Sequence, residues 1–204
     1  MQRLLIATRN TYKTREIQEI LGPEFDAEDL SAHPGIANPT ESGKTFAENA
    51  ILKAVEVSKQ SQQLVIADDS GLEVDALDGA PGVLSARYSG QGASDRANVA
   101  KLLGELERLG TQGMRRARFR CVIALAHAGK LLATFDGAVE GQIGEMPRGK
   151  AGFGYDPVFF PKGFGETFAE LSPDVKNRIS HRARALRKLK RYFRESSVRS
   201  DLKE

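Results

Sequence analysis

The feature that most constrains the fold of this sequence is the shortness of its apolar runs. The longest uninterrupted run has six residues, 121–126, whereas a membrane-spanning helix needs about 20. Shorter runs at residues 4–7 and 64–67 are typical of buried strands, and segments with helical periodicity lie between them. The sequence therefore predicts a globular chain of short strands and helices and excludes a transmembrane segment.

Start and stop signals mark the helices. Ser94 is a favourable N-cap, Ser172-Pro173 is a typical helix start, and Thr45 with Glu48 fits a capping box. The predicted helices cover residues 12–21, 45–61, 94–109 and one long segment from 172 onward. The further predicted strands are residues 158–160 and a hairpin of residues 118–126 and 131–139.

This order of elements indicates an α/β protein with a mixed sheet. The 204 residues have room for about one domain, and no repeat or linker divides them. We therefore expect a single domain over residues 1–195 and a frayed tail over 196–204. The lone Cys121 excludes an intrachain disulfide, and no signal peptide is evident, so we expect a cytoplasmic protein whose metal chemistry depends on carboxylates.

Positive charge is concentrated at one end of the chain. The net charge is +3, but residues 176–204 carry 11 Lys and Arg against three acidic residues, while the preceding residues carry 19 against 24. This basic segment and the arginine-rich residues 115–120 leave a nucleic-acid-binding module open as one interpretation.

An acidic pair follows the apolar run at 64–67. If the strand ends there, Asp68 and Asp69 lie at the carboxyl edge of a sheet, where open α/β folds bind ligands. Two carboxylates with few Cys or His ligands suit Mg²⁺ together with phosphate oxygens. A simple turn or helix cap is the alternative for this pair.

Three other segments have the residue types of a nucleotide site. Lys53 and Asn49 share one helix face, residues 8–13 lead into a helix N-terminus that favours anions, and residues 153–156 combine aromatic rings, glycine and a carboxylate. Each also has a purely structural interpretation, as a lysine whose stem packs on apolar surface, a helix start or a turn with core aromatics.

Taken together, these segments resemble the inosine/xanthosine triphosphate pyrophosphatases, which remove non-standard purine nucleotides. The matching motifs run in family order to about Phe193. They are Thr8-x-Asn10-x-x-Lys13, Glu41-x-Gly43-x-Thr45-Phe46-x-Glu48-Asn49-Ala50 with Lys53-Ala54, Ala67-Asp68-Asp69-Ser70-Gly71-Leu72, Gly79-Ala80-Pro81-Gly82, Ser85-Ala86-Arg87-Tyr88, Gly152-Phe153-Gly154-Tyr155-Asp156-Pro157, Lys176, and Ile179-Ser180-His181-Arg182 with Ala185-Leu186.

The resemblance implies an elongated, two-lobed α/β fold with a mixed sheet and an active-site cleft between the lobes. It also implies a Mg²⁺ requirement, a homodimer, and no nucleic-acid or membrane partner. The expected reaction is hydrolysis of ITP, dITP or XTP between the α and β phosphates, giving the monophosphate and pyrophosphate. This activity would keep such nucleotides out of DNA and RNA.

Site residues follow from the same resemblance. Asp69 is the expected general base and Lys53 the second catalytic residue, while Glu41, Asp68 and Asp69 are expected to hold the metal. The expected substrate-binding residues are Thr8, Arg9, Asn10, Thr11, Tyr12, Lys13, Ser70, Phe153, Gly154, Tyr155, Asp156, Lys176, His181 and Arg182. Arg9 stands where many members carry glycine, which leaves open whether its side chain or the loop backbone meets the phosphates.

Hydrogen bonding at the purine edge explains how such a site selects its base. Hypoxanthine and xanthine carry a 6-keto acceptor that an Arg or Lys donor satisfies, whereas adenine presents an amino donor and leaves that group unpaired. An unpaired buried donor costs about 1–3 kcal/mol. A related pyrophosphatase of modified pyrimidines is the nearest alternative among enzymes.

Overall fold

The structure is a computed structural model that describes residues 1–37, 39–110 and 115–201, with the backbone alone for 196–201. Within these ranges the helices are α1 (Thr11–Leu21), α2 (Phe46–Ser61), α3 (Asp95–Arg108), α4 (Pro173–Ile179) and α5 (His181–Asp201). The strands are β1 (Gln2–Ile6), β2 (Phe25–Asp29), β3 (Leu64–Val74), β4 (Arg116–His127), β5 (Lys130–Ile143) and β6 (Phe159–Pro161).

One mixed sheet contains all six of these strands, in the order β2-β1-β3-β4-β5-β6. Strand β1 pairs in parallel with β2 and β3, and β5 pairs antiparallel with β6. The predicted mixed α/β class is confirmed, as are the caps of α2 and α3 by Thr45 and Ser94. Strand β2 was not predicted, because three of its five residues are acidic and such a sequence favours loops.

The chain divides into two compact units. Unit 1 comprises Met1–Asp69, Cys121–Gly137 and Arg182–Glu204. Its apolar core is formed by side chains of β1, α1, β3, β4, β5 and α5, namely Leu4, Ile6, Ile17, Leu21, Ile66, Cys121, Ile123, Leu125, Phe135, Ala185, Leu186 and Leu189. Unit 1 therefore has a core of its own, to which α1 and α5 each contribute an amphipathic face.

Unit 2 comprises Ser70–Arg120 and Ala138–His181. Its core includes Val99, Leu102 and Leu106 of α3, and Phe119, Phe159 and Phe168 form an aromatic cluster within it. Tyr155 and Val158 from the segment before β6 are also buried there. The 153–156 segment is thus attached directly to the core of unit 2.

Two predicted boundaries were wrong. Strand β3 does not end before Asp68 but continues to Val74. The side chains of Leu72 and Val74 are still buried in strand alternation, and ion pairs neutralise the two aspartates. The predicted single C-terminal helix is two helices, because Ser180 has extended backbone (φ −64°, ψ 161°) and ends α4.

The end of the chain is helical as far as it is described. Helix α5 continues to Asp201, and residues 202–204 lie outside the described residues, so the frayed tail remains a prediction. No helix in the described part of the chain is sufficiently long and apolar to span a bilayer.

Candidate active site

Lys53 joins two carboxylates in unit 1. Its Nζ donates hydrogen bonds to Glu41 Oε1 at 2.8 Å and to Asp69 Oδ1 at 2.9 Å. Burial by itself lowers the pKa of Lys53, but the attraction of Asp69 and Glu41 outweighs it and raises that pKa. Lys53 is therefore a fixed cation that holds the two carboxylates together.

Asp69 has the properties of a proton acceptor. Burial raises its pKa, and the nearby charge of Lys53 offsets this only in part, so its pKa stays above the ordinary value for aspartate. Such a carboxylate binds a proton more readily than an exposed one, as a general base must. The structure thus brings Asp69, Lys53 and Glu41 together, as the family resemblance implied.

Asn49, which the sequence placed on the same helix face as Lys53 without a role of its own, contacts Asp69. Its Oδ1 accepts from the Gly43 N–H at 2.8 Å, and its Nδ2 donates to Asp69 Oδ2 at 3.2 Å. A Cβ at Gly43 would lie 2.7 Å from that Oδ1, so only glycine fits this approach. In the sequence, the four-residue spacing of Asn49 and Lys53 indicates that both side chains lie on the same face of α2.

Asp68 faces the other side of β3, as the alternation of a strand requires. Its side chain is fully buried, and its oxygens accept from Lys13 Nζ at 2.5 Å, Arg182 Nε at 3.1 Å and Cys121 Sγ at 3.0 Å. Burial raises the pKa of Asp68, but Arg182 and Lys13 outweigh it and hold the pKa well below the ordinary value. Asp68 is thus an ionised partner of two cations at neutral pH.

The predicted three-carboxylate metal set is not assembled. Among the described residues, no group of three or more His, Cys, Asp or Glu side chains is arranged to hold a metal ion. Glu41 and Asp69 do converge, since each has an oxygen within 2.9 Å of the same Lys53 nitrogen. The chemistry of this pair fits a hard cation that also binds phosphate oxygens, whereas Asp68 has its oxygens occupied on the opposite face.

The segment before α1 is an ordered helix start. Asn10 is the N-cap, and its Oδ1 accepts from the backbone N–H groups of Tyr12 and Lys13 at 3.0 and 3.2 Å, while Thr8 Oγ1 accepts from the Asn10 N–H. Thr11 and Tyr12 are exposed in the first turn. This end of α1 combines a positive helix dipole with the Lys13 ammonium.

Arg9 has a structural contact within this segment. Its Nη2 donates to the carbonyl oxygens of Ile36 at 3.0 Å and His33 at 3.4 Å. The guanidinium therefore ties the loop after β2 to the start of α1.

In unit 2, the 153–156 segment is organised around Asp156. Its Oδ2 accepts from Lys176 Nζ at 2.5 Å and from the Phe153 N–H at 2.9 Å, and Lys176 Nζ lies 5.1 Å from the centroid of the half-buried Phe153 ring. Gly152 has φ +75°, and a Cβ there would lie 2.1 Å from the Asp156 carboxylate. Phe153, Asp156 and Lys176 thus form one cluster, as expected.

The remaining predicted base-binding residues are not all in this cluster. His181 is 4% exposed and stacks on Phe119 with ring centroids 4.8 Å apart. Arg182, which is 1% exposed, belongs to unit 1 and is paired there with Asp68 and Glu16. The guanidinium thus serves two carboxylates in unit 1, and base reading by Arg182 stays a prediction.

Ser70 and Tyr155 complete the predicted set. Ser70 follows Asp69 within β3 and is half-buried. The Tyr155 ring lies in the core of unit 2, and its hydroxyl donates to the Ser85 carbonyl at 2.9 Å. Tyr155 therefore anchors the 153–156 segment from within the core.

Comparison with known families decides where this chain belongs. A sequence model of the Ham1 family matches residues 4–192. The chain belongs to the Ham1 family. This result confirms the family resemblance predicted from the motifs.

Curated relatives of this Ham1-family chain cover nearly its whole length. A protein of Geobacter sulfurreducens named dITP/XTP pyrophosphatase is 52% identical over 191 residues, which are 93% of this chain and 96% of the relative. A Bacillus subtilis protein of the same name is 49% identical over 190 residues, with the same coverage.

Solved structures agree with this assignment. The structure of a HAM1 protein from Coxiella burnetii is similar with a TM-score of 0.85 and 41% identity, and that of the Staphylococcus aureus Ham1 protein with a TM-score of 0.84 and 39% identity. Each comparison covers 96% of this chain and all of the other. The Ham1 fold is therefore the fold of this chain.

Proposed function

We propose that this protein hydrolyses non-standard purine nucleoside triphosphates (ITP, dITP and XTP) to the monophosphate and pyrophosphate. The observation that carries the proposal is the Glu41–Lys53–Asp69 cluster, in which a carboxylate of raised pKa lies beside a fixed cation. The relatives named dITP/XTP pyrophosphatase support the same activity and substrate class. Such an enzyme keeps deaminated purines out of DNA and RNA.

The chemistry of unit 1 follows from what these groups do. Asp69 accepts a proton from the attacking water, and the bond between the α and β phosphates breaks as pyrophosphate leaves. Lys53 and Lys13 oppose the negative charge of the triphosphate, with Thr8, Asn10 and the start of α1 as further phosphate contacts. Phosphoanhydride hydrolysis needs this charge neutralisation and water placement more than a covalent intermediate.

We assign a divalent metal to Glu41 and Asp69, and Mg²⁺ as its identity. Enzymes that cleave phosphoanhydrides generally use a divalent cation, and Mg²⁺ takes one or two carboxylates plus substrate phosphates. When bound, Mg²⁺ offsets charge on the phosphate oxygens. Asp68 is left out of this assignment because its oxygens already accept from Lys13, Arg182 and Cys121.

Base recognition is assigned to unit 2. Phe153 supplies a half-buried ring for stacking, while Asp156 and Lys176 supply an acceptor and a donor. Lys176 is the donor we assign to the 6-keto group of hypoxanthine or xanthine, because it lies in the same cluster as Phe153. The buried His181 stacks on Phe119, which stacks on Phe168, and the Phe168 centroid lies 5.7 Å from Lys176 Nζ.

A homodimer in the cytoplasm is also part of the proposal. The nucleic-acid interpretation is disfavoured, since Arg118 donates to Asp75 at 2.8 Å and to Glu140 at 3.2 Å and Arg120 lies 3.6 Å from Glu73. These ion pairs neutralise part of the basic segment near β4 that suggested a duplex partner.

A substrate panel tests the function. Purified protein with Mg²⁺ is assayed with ITP, XTP, dATP and GTP, and both pyrophosphate and orthophosphate are measured. We expect pyrophosphate release with ITP and XTP and little turnover of dATP or GTP. Equal turnover of all four, or orthophosphate as the sole product, would contradict the proposal. Selective hydrolysis of a modified pyrimidine triphosphate, added to the panel as a fifth substrate, would contradict it as well.

A further inference from the structure

We propose that Asp95 is a positioning residue that holds the 153–156 segment in place and thereby sets the selectivity for the purine base. The inference rests on the proposed function, because it assumes that Phe153 and Asp156 meet the base. Asp95 is the first residue of α3 and lies 59 positions before Gly154 in the chain. It belongs, like that segment, to unit 2.

The contact is a short hydrogen bond to a carboxylate. The Gly154 N–H donates to Asp95 Oδ2 at 2.6 Å. The neighbouring donors turn inward, since the Phe153 N–H bonds to Asp156 Oδ2 and the Asp156 N–H bonds to the Phe153 carbonyl. Gly154 is therefore the point at which the backbone of this turn is tied to a distant helix.

A second anchor lies one residue further along. The Tyr155 hydroxyl donates to the Ser85 carbonyl at 2.9 Å in the interior of unit 2. Ser85 is itself fixed, because its Oγ accepts from the Leu72 N–H at 2.9 Å and donates to the Gly82 carbonyl at 2.6 Å. The Ser85-Ala86-Arg87-Tyr88 motif, to which the proposed function gives no role, thus supports the same turn.

Helix α3 is joined to that motif as well. Asn98 is buried, its Oδ1 accepts from the Ser89 N–H at 2.8 Å, and its Nδ2 donates to the Ala86 carbonyl at 3.2 Å. Because Asp95 and Asn98 lie one turn apart on α3, the helix start and the 85–89 segment are held as one support. The 153–156 turn is attached to this support at Gly154 and Tyr155.

The turn needs such attachment because glycine flanks Phe153 on both sides. Gly152 and Gly154 have φ +75° and +61°, and nothing lies within 4 Å of a Cβ built at Gly154. Without Asp95 the turn loses its tie at that point, and the Phe153 ring gains freedom. A stacking ring discriminates between bases only when its orientation is held, so the expected consequence is weaker and less selective base binding.

The test compares Asp95→Ala and Asp95→Asn with a matched control, Asp174→Asn. The control also removes one exposed carboxylate from the first turn of a helix, α4. The steady-state kcat and KM are measured with ITP and with ATP, and folding is checked by thermal unfolding. Phe153→Ala is measured in parallel to establish that the turn contributes to ITP binding.

We expect Asp95→Ala to raise the KM for ITP about three- to tenfold with little change in kcat. The ratio of kcat/KM for ITP to that for ATP falls by a similar factor. Asp95→Asn retains an acceptor for the Gly154 N–H and gives a smaller change, and Asp174→Asn matches the wild type. If Asp95→Ala does not fold, Tyr155→Phe removes the second anchor and is expected to shift the same ratio.

Two results with Asp95→Ala would overturn the inference while leaving the proposed function intact. One is an unchanged KM for ITP in folded Asp95→Ala, and the other is an equal loss of kcat/KM for ITP and ATP, which indicates a general structural effect. An unchanged KM in Phe153→Ala would also overturn it, since the turn would then not bind the base. Absence of ITP hydrolysis by the wild type would instead contradict the proposed function itself.

Discussion

Asp68 and Asp69 lie on opposite faces of strand β3 and contact different groups. On one face Asp68 accepts from Lys13, Arg182 and Cys121, and its pKa is held well below the ordinary value. On the other face Asp69 accepts from Lys53 and Asn49, and burial keeps its pKa raised. Adjacent residues of one type thus differ in proton affinity because a strand turns them toward different partners.

This difference indicates which of the two aspartates is available for catalysis. The ionised form of Asp68 is stabilised by the fold, so its charge contributes to folding. The ionised form of Asp69 is less favourable in the fold than in water, which is the condition of a group kept for reaction and not for stability. We therefore expect substitutions on the two faces to act on different quantities.

The largest expected effect is a loss of turnover in Asp69→Asn. Asp69→Asn keeps the shape of the side chain but removes the proton acceptor, so kcat for ITP should fall about 10²–10⁴-fold. Pyrophosphate release under saturating ITP and Mg²⁺ measures it. Near-normal kcat would contradict the assignment of Asp69 as the base.

The second largest expected effect is a loss of unfolding free energy in Asp68→Asn. Asp68→Asn leaves Lys13 and the buried Arg182 without their shared counter-charge, and removing one partner of a buried ion pair costs about 3–5 kcal/mol. Urea unfolding at neutral pH measures the free energy of unfolding. A loss below about 1 kcal/mol would be the size found for exposed pairs, and it would contradict the structural role of Asp68.

A smaller effect is expected from Arg182→Lys. Lysine keeps the charge but not the planar group that reaches both Asp68 and Glu16, so the free energy of unfolding should fall by about 1–2 kcal/mol. The ratio of kcat/KM for ITP to that for ATP should not change. The matched control is Arg191→Lys, at an exposed position of α5. A change in the ratio would indicate that Arg182 also reads the base, as the family resemblance implies.

The smallest effect is a pH dependence of stability. The folded pKa of Asp68 lies below its ordinary value of 3.8, so its contribution is fully present above about pH 4 and is lost as the pH falls toward the folded pKa. The difference in unfolding free energy between wild type and Asp68→Asn should therefore be constant from pH 7 to about pH 5 and shrink only below about pH 4. A difference that shrinks between pH 7 and 5 would indicate that another group is responsible.

Local sequence signals predicted much of the fold and part of the site. The caps Thr45 and Ser94, the β4–β5 hairpin and the four-residue spacing of Lys53 and Asn49 depend on neighbours in the chain, and all were visible in the sequence. The motifs also identified Asp69, Glu41 and the Phe153–Asp156 turn as candidates. The caps, the hairpin and the helix spacing follow from periodicity and capping, whereas the site candidates came from the motifs and the family resemblance.

The errors depend on contacts between distant residues. An acidic pair normally ends a strand, but ion pairs to Lys13, Arg182 and Lys53 let β3 continue through both aspartates. A run from Pro173 with helical periodicity normally forms one helix, but the backbone turns at Ser180 so that Lys176 pairs with Asp156 while Arg182 pairs with Asp68. No local pattern encodes these partners.

The most direct test of the difference between the two faces is the size of the stability loss in Asp68→Asn compared with Asp69→Asn. Both variants are unfolded with urea at neutral pH in metal-free buffer. Asp68→Asn removes the counter-charge that Lys13 and Arg182 share, whereas after Asp69→Asn the Lys53 ammonium keeps Glu41 as a partner. Burial of the Asp69 charge is also relieved in that variant, so we predict a clearly larger loss of unfolding free energy for Asp68→Asn than for Asp69→Asn. Equal losses in the two variants, or a larger loss in Asp69→Asn, would contradict the account.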